Sequence, residues 1–415
     1  MRRYLYLLGI LAIIAVVVAV GYFLRYRSRD TVIDPNALTP GGLPPVGDQT
    51  GTPSPVPPGG TPPTSFVGQK FGVVGENKVL SFYVDAQNNA LLVQPDGQIV
   101  KIAGNNATTL SSSAIANLRE ARFSADGNKI LAIFGDSGKP QISVFDVASK
   151  SWQPLLLNIK SASWASTGYQ LAYFVEKNGA KALTALDISN PKAKPVELFK
   201  MHAEDLMLDW INPNQIIIRD KGSAIADGSV WSFDIKTKTL KGFVSEKPGL
   251  ASLWSGKANM GLVFAALSSS RRGGGLTLYD TAGNALSGLK LSTLPAKCAF
   301  DAQPAAATPS LAATSTKTTA SKATSTPQVV LEKSLYCAIP RDSQKFGASR
   351  LPDDYEKKIL FTADDFYKVN LSDGAVSSVF AEQAQMLDAT ELKVFNQTLF
   401  FINRLDQRLY AISLK

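Results

Sequence analysis

Histidine is almost absent from this 415-residue chain, which has a single copy, His202. That removes most general-base and metal-ligand arrangements, because histidine is the side chain that ordinarily titrates near neutral pH. His202 sits in Met201-His202-Ala203-Glu204-Asp205, read as a connector between repeats. Cysteine is scarce too, with two residues. Two thiolates and one imidazole do not fill a four-coordinate zinc site, so no metal or other cofactor is expected. Glycine-rich phosphate loops are missing: Ser270-Arg271-Arg272-Gly273-Gly274-Gly275 reads as a hairpin tip. Helical periodicity nearly vanishes after residue 30.

The remaining catalytic candidates fail on context. Gly135-Asp136-Ser137-Gly138-Lys139-Pro140 resembles the nucleophile motif of chymotrypsin-type proteases. It lies on a hairpin turn, however, and the one histidine follows the serine where the motif requires it to precede. Asp353-Asp354 and Asp364-Asp365 are adjacent pairs; on a strand, neighbours point to opposite faces, so neither pair converges on one point. Both are read as solvated turns. These absences argue against an enzyme.

The formal charge of +9 overstates the basic character of the body. Residues 1–30 hold five arginines and one aspartate; without them 38 basic and 33 acidic residues remain, a net of +5. Spread over a large domain, this is a mildly basic surface and no nucleic-acid footprint.

The first segment is the one long apolar run. Leu5 to Leu24 carry no charge, which matches the ~20 residues needed to cross a bilayer as a helix. Tyr4, Tyr6, Tyr22 and Phe23 flank it, where aromatic rings favour the headgroup zone. The run exceeds a signal-peptide core, and bulky Tyr22 and Phe23 follow the small residues at its end, so an uncleaved anchor is expected over residues 1–30. Arginines on both sides leave orientation open by charge. Residues 31–64 are rich in proline, glycine and threonine, cannot bury enough apolar surface to order themselves, and read as a disordered linker. That tether and the cysteine pair favour an extracytoplasmic body at the cell membrane.

The body, 65–415, repeats about every 45 residues. Ser143-Val144-Phe145-Asp146-Val147 has strong counterparts ending in Asp187, Asp234 and Asp280, at steps of 41, 47 and 46 residues. Weaker copies are Leu91-Leu92-Val93-Gln94, Phe366 to Asn370 and Leu409 to Ser413, making seven. Upstream of each strong copy comes an aromatic, a tight turn and an apolar strand. Phe123-Ser124-Ala125-Asp126-Gly127-Asn128-Lys129-Ile130 is the fullest example. Trp164, Trp210, Trp254 and Phe300 continue the series and read as inter-blade packing residues. Units of four short strands with polar turns at this period predict an all-β, seven-bladed β-propeller. Its last blade runs out of chain, so its outer strand is expected from residues 65–69.

The Phe123 to Ile130 unit resembles the W-S-P-D-G-K-x-I turn of TolB-type propeller repeats, relatives in shape of WD-repeat propellers. The resemblance spans roughly residues 70–415; tryptophan is replaced by Phe at 123 and 300, and most copies lose the Asp126-Gly127-Asn128 pattern. It implies an exported propeller that engages other proteins or envelope components.

The step from Asp280 to Asn370 is 90 residues. It contains 302–327, an Ala/Thr/Ser/Lys run expected to be a disordered insertion. Cys298 and Cys337 bracket it on what read as neighbouring strands of blade six, and a disulfide is expected between them. The functional expectation is a non-catalytic scaffold binding a protein or envelope polymer. The alternatives are an envelope-assembly adaptor, and a propeller hydrolase or lyase using a channel carboxylate or calcium.

Overall fold

The computed structural model describes residues 70–415, apart from 105, 137, 156–158, 160, 178–179, 203–205 and 305–330. The expected anchor and linker, and residues 65–69, lie outside the described residues, as does Ser137. Among the described residues no helix is long and apolar enough to cross a membrane.

Seven four-stranded antiparallel sheets make a seven-bladed propeller. Blades one to six span 81–111, 118–155, 162–201, 206–248, 251–289 and 298–380. Blade seven combines three strands from 389–413 with an outermost strand, Phe71–Lys78. The closing strand therefore starts after the expected segment 65–69. Phe71 pairs with Ile412 and Val73 with Tyr410, so the first strand of the body and the last strand of the chain cover each other's edges.

Burial follows from the architecture. The second strand of each blade is sandwiched between neighbouring blades, so Lys129–Phe134 and Gln215–Asp220 bury continuous apolar runs. The outermost strand faces solvent, and Asn106–Ser111 is correspondingly polar.

One repeat was misregistered by the pattern. Leu91 to Val93 belongs to the second strand of blade one, whereas Asp146, Asp187, Asp234 and Asp280 end third strands. The true counterpart is Ile99–Ala103, which lacks the terminal aspartate that marks the other copies. The insertion begins later than expected, since 302–304 complete the inner strand Cys298–Pro304 and pair with Leu331–Pro340.

Each blade runs from its inner to its outer strand. The second-to-third-strand turns and the blade-to-blade connections therefore share one face of the ring. The other turns share the opposite face. A segment the repeat pattern did not resolve, 341–363, sits between the second and third strands of blade six. It carries two short helices, Ser343–Ala348 and Asp353–Glu356. Asp342 accepts the Lys345 N–H at 2.8 Å and caps the first. Phe346, Leu351, Tyr355 and Leu360 pack into one buried cluster with Leu262 and Leu276 of blade five, Leu335 of blade six and Leu294 of the connection between them. This segment caps the ring on the face of the connections. Phe71 begins on the opposite face, beside the C-terminal strand.

Candidate functional site: the capped mouth of the ring

Hydrogen bonds tie the cap to three other blades. Asp353 accepts from the Ala224 N–H and from the Ser223 hydroxyl at 3.3 Å in blade four. In blade five, Arg272 donates to the Ala348 carbonyl at 2.6 Å, and Gly273 N–H to Ser349 at 2.9 Å. Arg404 of blade seven donates to the carbonyls of Tyr355 and Leu360 and stacks its guanidinium 3.6 Å from the Tyr355 ring centroid.

Beneath the cap lies a buried charge network. Lys297, Asp364 and Asp388 have fully buried side chains. The Lys297 ammonium stands 2.7 Å from Asp364 and 2.8 Å from Asp388, and donates to the Thr362 hydroxyl at 3.0 Å. Arg404 reaches the other Asp388 oxygen at 2.9 Å. Two cations balance two carboxylates, as burial requires. Burial works against the Lys297 charge, but the Tyr355, Asp364 and Asp388 oxygens outweigh it and hold the ammonium protonated beyond the ordinary lysine range. Burial raises the Asp364 carboxyl and the Tyr355 phenol. The network joins the cap to blades six and seven, and Tyr355 and Arg404 carry it to the wall of a cavity.

Above it a cavity of about 720 Å³ opens between the cap and blades one, two, five and seven. Val79, Leu80, Leu118, Leu294, Pro352 and Ile402 give it apolar walls, with Arg119, Glu356, Lys358 and Glu391 among them. Burial raises the Glu356 carboxyl, and Lys221 and Arg219 pull it back. Deeper in the ring, Arg122 crosses from blade two to donate to the Leu208 carbonyl of blade four at 3.0 Å.

The residues singled out in the sequence fall elsewhere. Cys298 and Cys337 are directly paired across two strands and form a disulfide, with Cα atoms 4.1 Å apart. Trp164, Trp210 and Trp254 are buried in clusters that join blades two to three, three to four and four to five. Phe123 packs between blades one and two, and Phe300 between five and six. Asp126-Gly127-Asn128 lies on the face opposite the cap, where Asp126 accepts from Ser124 and Tyr169 hydroxyls, each at 2.6 Å. Gly127 has φ +74°, and a Cβ there would overlap the Tyr83 ring. His202 is an exposed connector residue.

Two readings of acid pairs need correction. Asp353 and Asp354 lie on a helix, where one holds the cap to blade four and the other accepts the Arg350 N–H at 2.8 Å. Asp364 and Asp365 do diverge on a strand, but Asp364 is the buried partner of Lys297, while Asp365 pairs with Arg341 at 2.8 Å. Neither pair is a solvated turn.

The sequence pattern also missed Tyr83 and Phe395, which extend the aromatic series around blades one and seven. Tyr83 lies 5.9 Å from both Phe123 and Phe395. Phe395-Asn396-Gln397 carries the same aromatic-then-turn signal. Among the described residues, no group of three or more His, Cys, Asp or Glu is placed to hold a metal ion.

No protein-family model and no curated protein sequence matches this chain. Among solved structures it is similar to oligogalacturonate lyase from Vibrio parahaemolyticus, with a TM-score of 0.52 and 7% identity over 82% of this chain and 90% of that one. A prolyl endopeptidase structure matches at a TM-score of 0.49 and 12% identity, over 81% of this chain and 48% of that one. The chain thus spans about half the length of that peptidase. TolB from Acinetobacter baumannii matches at 0.36 and 12%, covering 80% of this chain and 62% of that one. Identities this low show the propeller fold alone.

Proposed function

We propose that this chain is a membrane-anchored, extracytoplasmic propeller that acts as a non-catalytic interaction module, binding its partner on the capped face. One observation carries the reading. Of nine large apolar residues exposed among the described ones, six (Ile225, Leu267, Ile359, Phe361, Met386 and Leu405) belong to the cap, to second-to-third-strand turns or to blade connections. All six share the capped face; Val196, Leu286 and Val376 do not. Exposed apolar side chains gathered on one face mark interaction surfaces, whereas scattered ones need no explanation. The uncharged run Leu5 to Leu24 supports the anchor, and the Cys298–Cys337 disulfide supports an oxidising compartment.

Intact cells expressing the full chain test the address. Protease added outside should digest the propeller while carbonate washing leaves the protein in the membrane fraction. Protection from external protease, or release by carbonate, removes the proposed location.

A second reading, a hydrolase or lyase, is favoured by one feature, the burial-raised Glu356 carboxyl in a cavity. It requires turnover of a peptide or polysaccharide by the wild-type chain that Glu356→Gln abolishes. No turnover across such a substrate panel removes it.

A further inference from the structure

The charged side chains of the capped cavity differ in what they already do. Arg404 is committed to Asp388 and to two cap carbonyls. Glu391 stands 4.0 Å from Lys393. Glu356 has Lys221 and Arg219 nearby, which favour its ionised form against burial. Arg119, at the start of the inner strand of blade two, and Lys358, just past the second cap helix, differ: among the described residues their side chains make no hydrogen bond or ion pair. One stands on the propeller wall and the other on the cap wall of the same cavity. The rest of the lining is mostly apolar, chiefly Val79, Leu80, Leu118, Leu294 and Ile402, with Thr390 and Gln407 beside the charged side chains already named. Two exposed, uncommitted cations on a mostly apolar cavity favour an anion with an apolar body attached.

From this we infer that the cavity takes the carboxyl terminus of a partner polypeptide, its carboxylate held by Arg119 and Lys358 and its last side chain against the apolar wall. The inference rests on the interaction-module reading and names its partner chemistry. Arginine suits this role because its guanidinium can meet a carboxylate through two parallel hydrogen bonds. The volume lies in the range that buries a drug-sized ligand, room for a few residues of peptide. Outside the rim, Ile359 follows Lys358 directly, and Phe361 and Leu405 flank Arg404, whose guanidinium lies 5.0 Å from the Phe361 ring centroid. That exposed apolar track continues the cavity outward and gives residues upstream of the terminus a surface, which a free fatty acid would leave uncovered. Capture of a chain terminus is an established mode of peptide recognition.

The test uses the full-length chain in detergent micelles and fluorescence polarisation. The probes are degenerate, N-terminally labelled hexapeptides, prepared once as free acids and once as C-terminal amides. Free acids should bind, and amides about ten-fold or more weakly, the loss expected on removing charge-assisted hydrogen bonds. Arg119→Gln and Lys358→Gln should each cost the free acids a similar factor while leaving the amides unchanged. Both side chains are uncommitted, so thermal unfolding should not move. Equal binding of acids and amides overturns the inference but leaves a peptide-binding face. Unlabelled decanoate displacing the peptides at equal concentration overturns the polypeptide assignment in favour of an acyl chain. No binding of either pool at millimolar peptide overturns it outright, while the crosslinking measurement below judges the interaction module separately.

Discussion

Lys297 donates to Asp388 at 2.8 Å with neither side chain reaching solvent, and the two residues occupy equivalent places in consecutive blades. Lys297 immediately precedes the inner strand of blade six, and Asp388 immediately precedes that of blade seven. Through Thr362, Asp364 and the Arg404–Tyr355 stack, the same pair holds the cap.

Removing the lysine leaves the buried Asp364 carboxylate without its cation and leaves Asp388 with Arg404 alone. Lys297→Met should cost about 3–5 kcal/mol, the range for breaking a buried ion pair on one side. The cap should also become the first site of limited proteolysis. Chemical denaturation measures the first effect. A loss below about 1 kcal/mol would show that the network is dispensable.

Two inter-blade tryptophans should respond differently to the same change. Trp164 Nε1 donates to the Arg122 carbonyl at 2.9 Å, whereas the buried Trp210 Nε1 has no hydrogen-bond partner. Trp164→Phe therefore loses this hydrogen bond and should cost about 1 kcal/mol more than Trp210→Phe, which relieves an unpaired donor. Equal losses, compared by thermal unfolding, would contradict this account.

Reduction of the Cys298–Cys337 bridge, which closes a separation of 39 residues, should lower stability by about 2–4 kcal/mol. Cys298→Ala/Cys337→Ala should reproduce the effect and become insensitive to dithiothreitol. A double variant as stable as the oxidised protein would show that the bridge adds nothing.

Acid should weaken the face opposite the cap. Lys129 and the Ser149 N–H hold the Asp146 carboxyl at about 2. Burial pushes Asp126 up, but bonds from Ser124, Tyr169 and Asn128 outweigh it and bring it to about 2 as well. A carboxylate depressed on folding stabilises above its unfolded value near 3.9 and loses that contribution as pH falls through its folded value. Stability should therefore decline between pH about 4 and about 2, and Asp146→Asn should flatten part of that slope. Both groups are partly solvated, so each contributes less than about 1 kcal/mol. Thermal unfolding at pH 4.5 and 2.5 reads the difference, and an unchanged slope in the variant removes Asp146 from the explanation.

The ring was legible because its signals are local and repeated. Asp146, Asp187, Asp234 and Asp280 each end a strand at a hairpin, and short-range chemistry dictates such turns. The disulfide was legible because two cysteines flank one insertion. Closure was anticipated in kind but displaced: Phe71–Lys78 is an edge strand fixed by its partner, Arg408–Ser413, over 300 residues away in sequence. The cap and its cavity stayed hidden for the same reason. Lys297, Tyr355, Asp364, Asp388 and Arg404 are spread across the last third of the chain, and no spacing rule unites them. Asp342 is a lone N-cap residue with no glutamate or glutamine three positions on, so nothing marks the cap helix between strong β patterns on both sides.

The central claim is that the capped face is the interaction surface. A photo-crosslinking amino acid placed at Phe361, and separately at Val376 on the opposite face, tests it in membranes of cells expressing the full chain. Both side chains are exposed, so neither substitution should disturb folding. The account predicts a discrete, saturable crosslinked species from position 361 and none from position 376. The same species from position 376 alone, or no crosslink from either, would contradict it.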